Sequence, residues 1–497
     1  MIKMTRKVYI ILKIMLILAL FLMQIDLKAH ANTTPTIWIV SQDGSGDFNT
    51  IQEAILNDSV SAGDTILVRK GTYIENLVIN KSISLVGESV DETIINSYTS
   101  TGTATISIEA DEVSIINFTI TSSGLVSSAV SVLGYRKTII SHNKIINNND
   151  GVIFAFSSEN VVFANTFDGN KNTGISFYLS TNNTVSGNTF KNNNYAGIYF
   201  YSSNGNNIYH NNFYDAIPVR SDAANILNSW DYNGEGNYWS NYNGTDFYRG
   251  TFQNETGSDG IGDEPFTIDE GNGDKFPLMG AFSFYDVHLK SEEYRFTFIS
   301  NSTVSDFSFE VGVETGNKLV RFNAAGENGS TGFCRVWIPK RLMNYTIVVL
   351  VDDEEITATW LGFTEEYACI YFTYTHSASI VKIISSKTLS LYYELLAEYA
   401  QLQNKLGSLN MSYYMLLNNL SALLDSYTRL QGNYTELYDS YRELLGKYDK
   451  NLQNIQNLAY AFLATTTLFL IVTVYLTRRM QKLRSPERKT YDKNEPI

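Results

Sequence analysis

The chain has 497 residues, a net charge of −14, and only two cysteines and five histidines. Its two basic ends, residues 1–31 and 477–497, carry +4 each, so the part between them carries −22. A body this acidic repels nucleic acid, and so few sulfur and imidazole ligands make a soft-metal cluster unexpected.

The N-terminus has the pattern of a secretory signal peptide. Four basic residues precede an apolar run at 14–23, and the small-residue site Ala29-His-Ala31 follows it. We expect cleavage after Ala31. An uncleaved anchor is the alternative, but ten apolar residues are too few to span a bilayer.

The next hundred residues carry motifs of a known kind. Residues 43–54 read Asp-Gly-Ser-Gly-Asp-Phe-Asn-Thr-Ile-Gln-Glu-Ala, which resembles the opening motif of pectin methylesterases. Segments 63–68, 71–73, 76–80 and 83–87 resemble the first coils of NosD-like proteins, the carbohydrate-binding and sugar-hydrolase group of right-handed parallel β-helices. The stretch Gln52 to Leu56 is predicted to form a short helix that caps the open end of the β-helix.

Between Thr138 and Tyr214 one short unit recurs with steps of 22, 23 and 23 residues. Such a fixed period predicts a repeat architecture, here one β-helix coil per unit. Since each strand pairs with its equivalent in the next coil, residues one period apart should stack. We expect stacked asparagines at a turn, where Asn tolerates left-handed backbone, at Asn143, Asn165, Asn188 and Asn211.

Strand alternation assigns the faces of these coils. If Phe154, Phe177 and Phe200 point inward, then Tyr178, Tyr199 and Tyr201 point outward. A flat aromatic surface suits the stacking of sugar rings, so these three tyrosines are the predicted ligand-binding residues. The alternative is that tyrosine is simply a good strand residue.

After the last repeat the resemblance to NosD-like proteins continues through their closing pattern. It includes Trp230-Asp231, residues 236–242, residues 259–263 and residues 275–279. The motifs together cover roughly half of the chain. Copper delivery, the role that names the family, is not expected here because no His, Met or Cys cluster is present.

Enzymatic activity is uncertain from the sequence, and the balance favours none. Pectin methylesterases use two Asp and one Arg in later motifs, and nothing after Ala54 matches those motifs. Glycosidases need two carboxylates at a fixed separation, whereas the repeats contain few acids. Charges one period apart have opposite signs, as at Asp168 and Lys191, which is typical of weak surface ion pairs.

Residues 246–274 form a Gly-rich acidic stretch. Carboxylate oxygens on such loops suit Ca²⁺, so we expect Asp259 and Asp263 to bind calcium. The spacing fits no EF-hand, and a solvated acidic loop is the alternative.

Residues 283–386 contain short alternating runs that predict an antiparallel β-sandwich. The region resembles β-domains that follow β-helices in archaeal surface proteins. Both cysteines, Cys334 and Cys369, lie in its predicted strands. An oxidising exterior favours a disulfide between them over two buried thiols.

A heptad pattern then continues for ten repeats, with tyrosines at one apolar position and leucines at the other. It predicts a coiled-coil stalk over 387–457 and therefore a homo-oligomer, although the number of chains stays open. The alternative is a single amphipathic helix lying on the domains. Residues 458–476 carry no charge and are long enough to span a bilayer. The basic residues that follow predict a cytoplasmic tail at 477–497.

The sequence thus predicts a mainly β, single-pass cell-surface protein with its N-terminal body outside the cell. Thirteen Asn-x-Ser/Thr sequons between Asn32 and Asn433 agree with that topology. The expected function is binding of glycan or cell-envelope polymer, in adhesion or envelope structure. The alternative is a carbohydrate-active enzyme, a lyase, hydrolase or esterase, on the same β-helix. The predicted domains are a signal peptide (1–31), a β-helix with its closing region (32–282), a β-sandwich (283–386), the stalk (387–457), a transmembrane helix (458–476) and the tail (477–497).

Overall fold

The computed structural model describes residues 35–97, 104–123, 128–222, 227–426 and 434–483. The predicted signal peptide and most of the predicted cytoplasmic tail lie outside these residues. Two compact units are formed, one ending at Phe282 and one starting at Ser283, and the segment Tyr248–Gly260 belongs to the second unit.

The first unit is a right-handed parallel β-helix of about seven turns. Three parallel sheets run along it, and each coil contributes one short strand to each sheet. Sheet 1 contains β1 (Ile37–Val40), β2 (Thr65–Val68), β5 (Ser84–Gly87), β8 (Ser114–Ile116), β11 (Ile139–Ser141), β14 (Val161–Phe163), β17 (Thr184–Ser186) and β20 (Asn207–Tyr209). Sheet 2 contains β4 (Leu77–Ile79), β7 (Ile106–Ile108), β10 (Ser128–Leu133), β13 (Asp150–Ala155), β16 (Thr173–Tyr178), β19 (Ala196–Tyr201) and β22 (Val219–Ser221). Sheet 3 contains β3 (Gly71–Tyr73), β6 (Thr93–Ser97), β9 (Thr119–Ser122), β12 (Lys144–Ile146), β15 (Thr166–Asp168), β18 (Thr189–Lys191), β21 (Asn212–Phe213) and β23 (Tyr238–Trp239).

The interior of the β-helix is filled by stacked apolar columns. Phe154 pairs in register with Phe177, and Phe177 with Phe200. All three are buried, and their ring centroids lie 5.2 and 5.3 Å apart in nearly parallel planes. The predicted stacking of residues one period apart is therefore confirmed, and it fixes which side chains face outward.

Asparagine ladders line the turns between sheets. The Oδ1 atom of buried Asn188 accepts from both the backbone N and the Nδ2 of Asn165, at 2.9 and 3.0 Å, and its own Nδ2 donates to Asn211. The stacked hydrogen bonding is as predicted. The left-handed backbone, however, belongs to the residue before each ladder asparagine, with φ values of 57 to 67° at His142, Ala164, Gly187 and His210.

Both ends of the β-helix are closed by side chains that join its core. At the start, α1 (Ile51–Leu56) buries Ile51 and Ile55, and the Glu75 carboxylate accepts from the backbone N–H groups of Ile51 and Gln52. This is the predicted short helix. At the other end, the Trp239 ring stacks on Phe213 and on Phe266, each at 4.5 Å. The antiparallel pair β26 (Phe266–Asp269) and β27 (Asn272–Asp274) supplies that closure.

The second unit begins with two antiparallel five-stranded sheets, which confirms the predicted sheet type. Their inner faces enclose one core that includes Phe298, Phe322, Val336 and Phe372. One sheet contains β28 (Ala281–Leu289), β29 (Glu292–Ser300), β32 (Thr331–Pro339), β36 (Tyr367–Thr375) and β35 (Thr359–Phe363). The other contains β30 (Thr303–Val311), β31 (Lys318–Ala325), β37 (Ala378–Ser386), β33 (Thr346–Val351) and β34 (Glu354–Ile356). A separate two-stranded pair joins β24 (Tyr248–Arg249) to β25 (Glu255–Thr256).

Two long helices end the described chain, α2 (Lys387–Ser426) and α3 (Tyr434–Leu483). They pack against each other through the Tyr413 and Tyr441 rings, which stack at 4.3 Å. The predicted single continuous stalk is therefore corrected. The tyrosine positions of the heptads pair the two helices within one chain, and only the second helix runs on into the apolar segment. By length and composition, α3 could cross a membrane.

Candidate functional site

The outward face of sheet 2 carries a contiguous aromatic surface. Tyr178 pairs in register with Tyr201, and Ser176 pairs with Tyr199, on the strands whose alternate residues form the phenylalanine column. The Tyr178 ring centroid lies 5.8 Å from that of Tyr199 and 5.9 Å from that of Tyr201. The structure thus brings together the three tyrosines predicted from alternation.

A fourth tyrosine extends this surface, and the sequence did not reveal it. Tyr195 is 45% exposed, and its ring lies edge-on to Tyr199 at 5.8 Å. It precedes the strand, and its neighbour in the previous coil is Asn172, whose carbonyl accepts from the Tyr195 N–H. No aromatic column therefore marked it. Tyr178, Tyr195, Tyr199 and Tyr201 are called the tyrosine patch below.

Buried hydrogen bonds beneath the patch hold its strands in place. The Thr173 hydroxyl donates to the Asp150 carboxylate at 2.8 Å and lies 2.7 Å from the hydroxyl of buried Ser176. The Ser176 side chain also interacts with the Tyr178 phenol and partly offsets the rise in its pKa that burial causes. Because rigid support reduces the entropy lost on binding, this network makes Tyr178 a pre-organised contact.

The charges that border the patch are of both signs. Arg220 places its guanidinium 4.5 Å above the Tyr195 ring and donates from Nε to the Tyr195 carbonyl. Partial burial raises the pKa of Tyr178, and the nearby Asp150 charge raises it further. Partial burial and the charge of Asp222 do the same for the pKa of Tyr199. The phenols of Tyr178 and Tyr199 therefore stay neutral hydrogen-bond donors at physiological pH.

The two aspartates predicted to bind calcium lie in different compact units. The carboxylate of buried Asp259 lies 3.4 Å from Arg335 and accepts from Gln253 and from the Gly250 N–H. Asp263 accepts from the Phe247 N–H at 2.7 Å. In the described part of the chain, no three His, Cys, Asp or Glu side chains form a group suited to a metal. Calcium binding stays a prediction, and an ion at Asp259 would compete with Arg335.

The two cysteines do not form the predicted disulfide. They lie on adjacent strands, but Cys334 is opposite Phe372 while Cys369 is opposite Trp337. They are thus three residues out of register, and the strand alternation turns them to opposite faces of the sheet. A disulfide requires Cα atoms within about 7 Å and converging Cβ atoms. The two cysteines could therefore bond only if these two strands paired in a different register. Complete burial raises the pKa of the Cys334 thiol to about 11.

The charge ladder on the β-helix surface follows the predicted signs. Lys191 pairs with Asp168 in the neighbouring coil at 3.2 Å. Lys137 forms its ion pair with Glu112 in the preceding coil, at 2.9 Å. These carboxylates are matched to cations on the surface and do not converge into an acid pair.

Most of the β-helix region is similar to a known protein family. Residues 45–244 match the family model of NosD, described as a periplasmic copper-binding protein. This confirms the NosD-like resemblance of the β-helix.

Curated relatives match a shorter part of this chain. Pectinesterase 2 from Citrus sinensis is 34% identical over 94 residues, and probable pectinesterase/pectinesterase inhibitor 17 from Arabidopsis thaliana is 38% identical over 93. Each match covers 18% of this chain and 18% of the relative. The chain therefore spans less than a fifth of the length of the curated relatives it matches.

Solved structures give similarities of low identity. A mutant pectin methylesterase in complex with a hexasaccharide shows a TM-score of 0.26 and 14% identity, covering 37% of this chain and 81% of that one. The tailspike protein gp49 from Acinetobacter baumannii bacteriophage Fri1, a capsular polysaccharide depolymerase, shows a TM-score of 0.26 and 11% identity. That match covers 65% of this chain and 79% of the tailspike.

The copper in the NosD family description does not fit the side chains of this NosD-like region. The described part of the β-helix places His142 against the Phe163 ring and His210 in a hydrogen bond with Glu235. The two histidines of the second unit lie on different strands or turns, where His288 faces Glu293 and buried His376 lies between two serines. Copper sites need soft or imidazole ligands that converge, and the four described histidines each have separate partners.

Proposed function

We propose that this chain is a membrane-anchored cell-surface protein whose β-helix binds glycan through the tyrosine patch. The observation that carries the proposal is four neighbouring tyrosine rings on or beside the outward face of one sheet, two of them more than 40% exposed. Large contiguous apolar patches on a protein surface often mark interaction sites. Aromatic rings with a polar hydroxyl offer an apolar face to sugar C–H groups and a hydrogen bond to sugar hydroxyls.

The charges around the patch favour a neutral glycan over an acidic one. Two carboxylates, Asp150 and Asp222, influence the patch tyrosines electrostatically. The one described cation that contacts the patch, Arg220, is already held over the Tyr195 ring. In addition, the chain between its basic ends carries −22. A polyuronate would meet net repulsion, whereas a neutral sugar uses the carboxylates as hydrogen-bond acceptors.

The anchoring part of the proposal is supported by α3. This helix is long and apolar enough to cross a membrane, and basic residues follow the apolar stretch in the sequence, at Arg478, Arg479 and Lys482. The positive-inside rule then places the C-terminus in the cytoplasm and the β-helix outside.

Binding of the purified full-length chain in detergent to an array of neutral and acidic polysaccharides tests the proposal. Replacing Tyr199 and Tyr201 together by alanine should lower affinity at least about tenfold, since hot-spot aromatics are worth more than about 1 kcal/mol each. The matched control replaces Tyr214 and Tyr232, which are 44% and 55% exposed outside the patch.

Equal binding by the wild type and the Tyr199→Ala plus Tyr201→Ala variant would contradict the patch. Preferred binding of polyuronates would contradict the predicted preference for a neutral glycan but not the role of the tyrosine patch. Release of oligosaccharides from a bound polymer would instead favour a carbohydrate-active enzyme.

A further inference from the structure

The helix pair of the second unit leaves leucines of one heptad position exposed on both helices. The α2 and α3 helices run antiparallel, because Tyr413 stacks on Tyr441 while Tyr399 lines the same groove as Ile455. At the tyrosine position, Tyr399, Tyr413, Tyr441 and Tyr448 are partly buried in this seam. Five residues at the leucine position are more exposed, between 47% and 64%: Leu402, Leu409, Leu416, Leu437 and Leu444. These five residues are called the leucine face.

Both helices contribute leucines to the same side of the pair. Two open apolar grooves of about 270 and 410 Å³ lie along it. Leu402 and Leu409 of α2 line one groove together with Leu452 of α3. Leu409 and Leu416 line the other groove together with Leu444. Four of the five residues of the leucine face, Leu402, Leu409, Leu416 and Leu444, therefore lie along one continuous pair of grooves.

The chemistry of this surface points to a second copy of the same chain. Leucines recur every seven residues on both antiparallel helices, so the face presents the same pattern in both directions along its length. A surface with that property is complementary to itself across a two-fold axis. Asn451 takes the next leucine position and lines the groove beside Leu402. A single polar residue in an apolar seam fixes the register and the number of helices.

The size of the face agrees with a homodimer. From Leu402 to Leu416 the helix rises about 21 Å, and two helices side by side are about 20 Å wide. The flat area is thus roughly 400 Å² per copy, and interdigitated side chains bury more than the flat area. The two copies together would bury about 800 Å² or somewhat more, which is the size of a weak, reversible association and below the roughly 1,200–2,000 Å² of stable complexes.

We propose that the leucine face docks on the leucine face of a second copy, forming a four-helix bundle from two antiparallel helix pairs. This arrangement differs from a parallel coiled coil of unbroken helices, although both use the same heptads. Within each chain the tyrosine positions join α2 to α3. Between chains the leucine positions join the two pairs.

The mass of the full-length chain in detergent, measured by light scattering during gel filtration, tests the interface. The wild type should have the protein mass of a dimer, and Leu416→Lys plus Leu444→Lys should raise the dimer dissociation constant at least tenfold. The control is Tyr414→Lys plus Met415→Lys, because these side chains are each 62% exposed but lie off the leucine face, and it should remain dimeric. Circular dichroism checks that the helices of all variants remain folded.

Cross-linking tests the helix pairing separately. Tyr413→Cys plus Tyr441→Cys, treated with a short thiol cross-linker, should join the two positions within one chain. Tyr413→Cys alone should join copies little. A monomeric wild type would overturn docking to a second copy, and efficient Tyr413→Cys linkage between copies would overturn the helix pairs in favour of a parallel coiled coil.

Discussion

Aromatic rings stack in two regions of this chain with different consequences. In the β-helix, Phe177 lies between Phe154 and Phe200 with no exposed surface. In the helix pair, Tyr413 stacks on Tyr441 at a shorter distance, yet it stays half-exposed. The comparison shows that a sequence period alone does not determine burial. A β-helix coil obtains its partner from the next coil of the same chain, whereas a heptad face needs a partner that the sequence does not specify.

The largest expected effect comes from breaking the buried stack. Phe177→Ala removes a ring from the column and leaves a cavity that the paired strands cannot close. We expect a loss of about 3–5 kcal/mol in unfolding free energy, measured by denaturant titration of the full chain. Tyr413→Ala, the matched change in the helix pair, should cost only about 0.5–1.5 kcal/mol. Equal losses at the two sites would show that the regions do not differ as described.

An asparagine ladder should be nearly as sensitive as the phenylalanine column. Asn188→Ala leaves the Asn165 N–H and the Val162 and Ser186 carbonyls without their side-chain partner. Each unsatisfied buried group costs about 1–3 kcal/mol, so we expect a total of about 3 kcal/mol or more. The control is Asn194→Ala, an exposed asparagine six residues further along the same coil. A melting temperature unchanged by Asn188→Ala would contradict the ladder.

The asparagine ladder ends at the carboxylate of Asp274, which accepts from the Asn237 N–H, and this carboxylate should make the stability of the β-helix depend on pH. Burial raises the pKa of Asp274 to about 7, although Asn237, Trp239 and Phe276 donate to its carboxylate. The folded state therefore holds a proton that the unfolded state releases near pH 4, and unfolding free energy should fall as pH rises from about 4 to about 7. We expect a fall of up to a few kcal/mol.

Asp274→Asn should flatten this slope, which thermal melts at pH 5 and pH 8 measure. Asp58→Asn, at an exposed position, controls for the change in net charge. A wild-type β-helix that becomes more stable across the same interval would show that the hydrogen bonds to Asp274 outweigh its burial.

The smallest expected effect concerns calcium. If Asp259 and Asp263 bind the ion as predicted, EDTA should lower the melting temperature by a few degrees, and added Ca²⁺ should restore it. Asp263→Asn should reduce that response. A melting temperature unmoved by EDTA would favour the ion pair with Arg335 as the role of Asp259.

The sequence was sufficient where the partner of a residue is set by the period. The columns at Phe177 and Asn188 could be predicted, and the outward positions of Tyr199 and Tyr201 followed from alternation. Tyr195 could not be predicted, because it lies outside a strand and has no aromatic neighbour one period away. Cys334 and Cys369 were misassigned since the register of two strands, which decides whether thiols meet, is not visible in their spacing.

The heptads show the same limit in another form. Tyr413 and Leu416 were recognised as apolar seam positions, but the sequence does not say whether a seam closes within one chain or between chains. The structure pairs the tyrosine positions within the chain and leaves the leucine positions open. Tertiary packing within the chain thus uses one of the two apolar heptad positions and leaves the other exposed.

Hydrogen–deuterium exchange of the full-length chain at two protein concentrations compares the two regions most directly. Peptides from the coils around Phe177 should exchange equally slowly at both concentrations, because their partners belong to the same chain. Peptides from α2 around Leu409 and Leu416 should be better protected at the higher concentration, since mass action fills the leucine face. Protection of α2 that is independent of concentration throughout a range spanning the dissociation constant, or protection of the β-helix that rises with it, would contradict this account.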